Sequence, residues 1–295
     1  MLGRSPLEWY RSGSLPISKP SSRSPRAPAA AAASAAAWDY GGFTVPFATD
    51  EARAISLLTH HYYRADGQSP TATIRLLLSS DPGLRLVLAA LSTAASSQAV
   101  ALGARLDEAN SFYNGGAPGV SNSFASALWA IGFLFQTARG GLSGVNLHGG
   151  GSAPGYTPIA DDGTHVVEAR PAYLGMFLFA LAGTGQLRDV TISPIALPMA
   201  AWAVTSSANR SLVVINADEN HDADVTAILE APASSADLVA LTCPSLSATR
   251  GALLQGAPVA ADGSWNPLPA LAVPVSGSTV EFRVPAASAM LVRIH

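Results

Sequence analysis

"ALGARLDEANSFYNGG", residues 101–116, governs how the rest of the chain is read. Its first half, ALGARLDE (101–108), is short and apolar and reads as a strand that ends on the acidic pair Asp107–Glu108. Taken alone, a glutamate at a strand end is an ordinary surface acid. Three features weigh the other way. The strand belongs to a presumed parallel sheet, whose C-terminal edge gathers chemistry in α/β barrels. Asn110, Ser111 and Tyr113 follow, and each can hydrogen-bond to a carboxylate or a sugar hydroxyl. Gly115 and Gly116 then allow a tight loop with exposed backbone N–H groups. Glu108 is therefore a candidate catalytic carboxylate.

The flanking segments fit one architecture. "AISLLTHHYY" (54–63) is a continuous apolar run ending in polar aromatics, as a strand buried on both faces reads when its end opens into a site. "SPTATIRLLLSS" (69–80) predicts a short helix with Ser69 as N-cap and Pro70 in the first position. "DPGLRLVLAALSTAASSQAVA" (81–101) predicts a longer helix. "GVSNSFASALWAIGFLFQTARGG" (119–141) predicts another, capped by Ser121 or Ser123 and stopped by Gly140–Gly141. "LSGVNLHGGG" (142–151) reads as a strand, and "ARPAYLGMFLFALAGTG" (169–185) as a helix beyond a loop through Tyr156. Strand and helix thus alternate from about residue 54 to 186, the mark of a parallel α/β unit. After 187, short alternating segments with turn signals predict an antiparallel β-sandwich to the C-terminus. Residues 1–37, rich in Ser, Pro, Arg and Ala, predict a disordered leader.

Composition narrows the function classes. Of 295 residues, 48% are apolar and 13% charged, enough to build a core, and the net charge of −3 offers no basic patch for nucleic acid. No unbroken apolar run of membrane-spanning length is present. The single cysteine, Cys243, excludes an internal disulfide framework and a cysteine metal site. His60–His61 lack the spacing of a metal site. "HGGG" (148–151) has no nucleophile elbow to serve. "ADENHDAD" (217–224) lacks calcium-loop spacing and predicts a solvated hairpin turn. Asn209-Arg-Ser is a glycosylation triplet of a kind common by chance.

"HHYY" (60–63), the long block from Asp107 to Gly150 and "GYTPI" (155–159) together resemble glycoside hydrolase family 79, the β-glucuronidases and heparanase-like enzymes. The resemblance runs from about Trp38 to the C-terminus. It implies a (β/α)8 barrel followed by a β-sandwich, and a retaining mechanism with two glutamates. It assigns Glu108 as the nucleophile, in E-x-N-S, with Asn110 beside it, and Tyr62 or Tyr63 as the tyrosine that approaches it. It places Tyr113, Gly115, Gly116 and Tyr156 at the carboxylate of a uronic acid, with His61 and His148 lining the pocket. The implied substrate is a uronic-acid-containing glycan or glucuronide. No cofactor or metal is expected, since the chemistry runs on carboxylates, and an extracellular or lysosomal-type location is implied by the family.

The chain departs from that family in one respect. The acid/base glutamate belongs to an Asn-Glu-Pro motif on the fourth barrel strand, and no such motif occurs here. About three barrel strands are found, in the order expected of the last three. The expected domains are therefore a leader (1–37), the C-terminal part of a barrel (38–186) and a β-sandwich (187–295). The expected function is the nucleophile half of a β-glucuronidase-type site, inactive without a missing N-terminal half. The alternative is a non-catalytic remnant serving as a carbohydrate-binding or interaction module.

Overall fold

The computed structural model describes residues 29–31, 40–153, 155–194 and 196–295. A four-stranded parallel sheet comes first, with β1 (Ala29–Ala31), β2 (Ile55–Tyr63), β3 (Ala104–Asn110) and β4 (Val145–Leu147) side by side in chain order. Apart from β1, the predicted leader lies outside the described residues. A π-helical turn, Tyr40–Thr44, and α1 (Val45–Asp50) precede β2. Between β2 and β3 run α2 (Ile74–Leu78) and α3 (Pro82–Ser97); α4 (Ala125–Arg139) joins β3 to β4.

Local chemistry sets the helix starts. α3 begins as expected, because the Asp81 carboxylate accepts from the Leu84 N–H at 3.0 Å and Pro82 occupies the first turn. Leu84, Val87, Leu88 and Leu91 then bury against Leu58, Tyr62, Leu106 and Ala109 of the sheet. α2 is shorter than predicted, and its cap is Thr73, which accepts from Leu76 N at 3.1 Å, rather than Ser69. The Ser69 hydroxyl is engaged by the Thr71 N–H at 3.2 Å in a turn that delays winding.

Neither Ser121 nor Ser123 caps α4. Its first N–H groups instead meet carbonyls from distant chain: Phe124 N donates to Ala248 O at 2.8 Å, and Ala125 N to Leu246 O at 2.9 Å. The helix stops at the glycine pair as predicted, with Gly141 at φ +79°.

The loop beyond β4 holds a small antiparallel hairpin, β5 (Ile159–Asp161) and β6 (Val166–Ala169), and leads to α5 (Pro171–Leu181). Next come β7 (Gln186–Arg188), β8 (Met199–Thr205), β9 (Arg210–Asn216), β10 (Ala223–Ile228), β11 (Ala236–Thr242) and β12 (Leu253–Leu254). β13 (Leu271–Val273), β14 (Val275–Ser276), β15 (Thr279–Val284) and β16 (Ser288–Ile294) complete the chain. One antiparallel sheet has the order β12-β11-β16-β9-β8-β7, with β13 also on β11; a smaller one has the order β10-β15-β14. Leu212 and Val214 of β9 face the smaller sheet with Val280 and Phe282, while Val213 and Ile215 face α4 and α5 with Trp202. β9 is covered on both sides, which is why "SLVVIN" reads as a continuous run and not as an alternation. "ADENHDAD" departs from the hairpin reading, because β9 and β10 lie in different sheets and the segment crosses between them.

α4 and α5 meet at a glycine. A methyl group on Gly175 would overlap the Ala127 carbonyl, so the helix axes come as near as backbone allows. Gly175→Ala is expected to destabilise by about 1–3 kcal/mol through overpacking and to lower the midpoint of thermal unfolding by roughly 2–10 °C. A melting curve unchanged from wild type would show that the two helices separate without cost.

Candidate active site

The site is built on the facing ends of β2 and β3. Residues of β2 point alternately to the two faces of the sheet, so Tyr62 and Tyr63 part company. Tyr62 faces the helices, where its hydroxyl donates to Asp81 Oδ2 at 2.8 Å. It does not reach Glu108; of the two tyrosines, Tyr63 is the one that does. The Tyr63 ring is buried, and its hydroxyl donates to Glu108 Oε1 at 2.8 Å.

β3 breaks its alternation where the acidic pair lies. His60 is opposite Leu106 and His61 opposite Glu108, so Asp107 is an extra residue without a partner, a β-bulge. The bulge turns two consecutive carboxylates toward one imidazole. His61 Nδ1 is 3.8 Å from Glu108 Oε2, and His61 Nε2 is 3.8 Å from Asp107 Oδ1. Both separations exceed hydrogen-bonding range, so the contacts are electrostatic. The Glu108 side chain is 34% exposed, which leaves Oε2 open while Oε1 is held.

Burial raises the pKa of the Tyr63 phenol far above its ordinary value, and its hydrogen bond to Glu108 and the neighbouring Tyr156 act in the same direction. Burial likewise raises Tyr156, assisted by the Glu108 charge and partly offset by the hydrogen bond with Tyr63. Both groups are neutral phenols at any pH the protein would meet. The two rings lie 6.1 Å apart, and Tyr156 also hydrogen-bonds His148 Nδ1 at 2.6 Å.

Asn110 is buried and does a different job from the one its place in the motif suggests. Its amide nitrogen donates to the carbonyls of His148 at 2.7 Å and Tyr156 at 3.1 Å, and its oxygen accepts from Ser111 N. It ties the Tyr156 loop to the end of β3. The loop carrying Tyr113, Gly115 and Gly116 is clamped from two sides. Tyr113 N donates to Ala65 O and Tyr113 O accepts from Gly67 N, both at 3.0 Å, which prolongs the β2–β3 pairing past the strand ends. Asn114, Gly115 and Gly116 all have positive φ, and a Cβ on Gly116 would lie 2.7 Å from that of Ser121. Asp66 accepts from the Asn114 amide at 3.0 Å. Asp66 and Asp107 were missed in the sequence reading. The Asp66-Gly67 turn signal and the acidic doublet itself were the marks that could have found them.

Among the described residues no group of three or more His, Cys, Asp or Glu side chains could hold a metal ion, and no helix is long and apolar enough to cross a membrane. The arrangement presents one open carboxylate oxygen beside neutral donors, which suits attack on an electrophilic carbon.

No family model matches the chain. A β-glucuronidase of Aspergillus niger is 35% identical over 98 residues, covering 32% of this chain and 17% of that protein. A β-glucuronidase of Neurospora crassa is 28% identical over 130 residues, covering 42% of this chain and 23% of that protein. The alignments thus span less than a quarter of either relative. Among solved structures, a 4-O-α-L-rhamnosyl-β-D-glucuronidase from Fusarium oxysporum, in complex with Rha-GlcA, superposes with a TM-score of 0.67 at 18% identity, covering 84% of this chain and 55% of that one. A family 51 arabinofuranosidase from Xanthomonas axonopodis pv. citri gives 0.53 at 16% identity, covering 85% and 55%. The similar proteins are glycoside hydrolases, glucuronidases among them, and the fold is shared with barrel-type enzymes of that class.

Asn110→Ala removes two donors from buried or half-buried carbonyls. It is expected to cost about 2–3 kcal/mol locally and to speed amide exchange across residues 148–157 by about 30- to 150-fold. Exchange protection there equal to wild type would assign the loop's order to other contacts.

Proposed function

We propose that this chain carries the nucleophile-bearing part of a retaining β-glucuronidase-type active site. On this reading residues 38–186 form the last βα units of a glycosidase barrel and residues 187–295 a β-sandwich packed beside it. Glu108 is the nucleophile, and the observation that carries the reading is its geometry: Oε1 takes the Tyr63 hydroxyl, while Oε2 is held by no hydrogen bond, with His61 Nδ1 3.8 Å away. Oε2 would attack the anomeric carbon as the bond to the leaving oxygen breaks, giving a glycosyl ester that water then opens. Tyr63 steadies the carboxylate and releases it as a leaving group in the second step, its proton staying on the phenol throughout.

A uronic acid fits the surroundings. Its carboxylate would meet the Tyr156 and Tyr113 phenols and the backbone N–H groups of Gly115 and Gly116, with His61 and His148 at the rim. Neutral donors bind an anion by hydrogen bonds alone and leave the nucleophile's charge uncompensated. Glu108 acts here without an acid/base partner drawn from this chain.

A substrate whose leaving group needs no proton tests this directly. A 2-deoxy-2-fluoroglucuronyl fluoride should esterify Glu108, seen as a labelled peptide by mass spectrometry, and Glu108→Gln should abolish the label. Tyr63→Phe should slow labelling about 10- to 100-fold, the loss of one hydrogen bond to a charged group. A folded chain that takes no label at Glu108 would sink the assignment and favour a non-catalytic role.

A further inference from the structure

The bulge residue has work to explain. Asp107 Oδ1 is buried and makes no hydrogen bond, an expensive condition for a carboxylate oxygen. The group that approaches it is His61 Nε2, at 3.8 Å. The opposite ring nitrogen stands at the same distance from Glu108 Oε2. The imidazole is therefore poised between two carboxylates and bonded to neither. Tyr63 occupies the other oxygen of Glu108, and Arg105, the cation two residues before Asp107, is turned away to the Asn146 side chain at 2.6 Å.

We infer that Asp107 is a positioning residue that holds His61 back from Glu108, so that the attacking oxygen stays open. The inference rests on the reading of Glu108 as nucleophile. The physical case is a competition. A histidine on the strand beside an exposed carboxylate, with nothing behind it, closes to hydrogen-bonding distance, because a hydrogen bond to an ionised acceptor is stronger than one between neutral groups. Here such closure would cover Oε2, the one oxygen left for an anomeric carbon. A second carboxylate behind the ring opposes the pull with an equal one. An unbulged strand would send residues 107 and 108 to opposite faces, and only the extra residue lets both act on one ring. The bulge is thus the device that sets the restraint.

Asp107→Ala releases His61 toward Glu108. The expected outcome is a fall of about 10-fold in the rate of Glu108 labelling by the fluoride reagent, within the range measured for coupled neighbouring side chains. The loss should vanish in a His61→Ala background, where Asp107→Ala should change nothing further. Asp107→Asn, which keeps an acceptor behind the ring, should restore most of the rate. A second readout needs no chemistry at the site. In the histidine-labelled chain, the nitrogen spectrum of Asp107→Ala should gain a hydrogen-bonded His61 Nδ1–H signal that wild type lacks. A loss of the same size with His61 absent would overturn the inference, as would a folded Asp107→Ala chain with the wild-type His61 spectrum. If wild type takes no label, the nucleophile assignment fails while the spectrum still decides whether Asp107 restrains the ring.

Discussion

The parallel pairing of β2 with β3, interrupted by one residue, is the constraint on which the site depends. Regular pairing would distribute the side chains of "HHYY" and "LDEAN" by strict alternation. The extra residue at Asp107 resets the phase, so that Glu108 comes opposite His61 and Asn110 opposite Tyr63. Everything nearby then follows from which face each residue has. Tyr63 reaches Glu108 while Tyr62 serves α3 through Asp81. Asn110, three residues past the bulge and buried, can collect the carbonyls of the next loop.

A second dependency runs through α4. Its apolar side is buried against α5 and the larger antiparallel sheet, where Phe135 stacks on Trp202 with ring centres 5.1 Å apart. Its N-terminus is finished by the carbonyls of Leu246 and Ala248. The loop that carries Tyr113 and the two glycines therefore ends on a helix whose first turn is held by chain from the far end of the sequence. Precision at the end of β3 is borrowed from packing a long way off.

The order of strands and helices was legible because periodicity and end signals are local: Asp81-Pro82 starts α3 and Gly140–Gly141 ends α4. What local pattern could not carry was supplied by distance. The cap of α4 is made by residues more than a hundred positions away, so the nearby serines drew the eye. The phase of β2 is fixed by a bulge on its neighbour, so "YY" alone could not say which tyrosine meets Glu108. β9 was expected to alternate like the other C-terminal strands, and it runs apolar throughout because helices cover its second face. Glu108 stood out through its context, while the bonds of Asn110 to the carbonyls of His148 and Tyr156 could not be foreseen, since those carbonyls belong to a loop with no pattern of its own.

The N-terminus of α4 also bears on how such a chain can change over generations. The carbonyls of Leu246 and Ala248 sit in a connection of the C-terminal strands, yet they complete a helix of the α/β part. A recombination event near residue 187 would deliver strands without the helix that they finish, or a helix without its last acceptors. A foreign counterpart would leave buried N–H groups bare unless its backbone brought carbonyls to the same two places, so what an exchange must preserve here is the path of the chain and not the identity of its side chains.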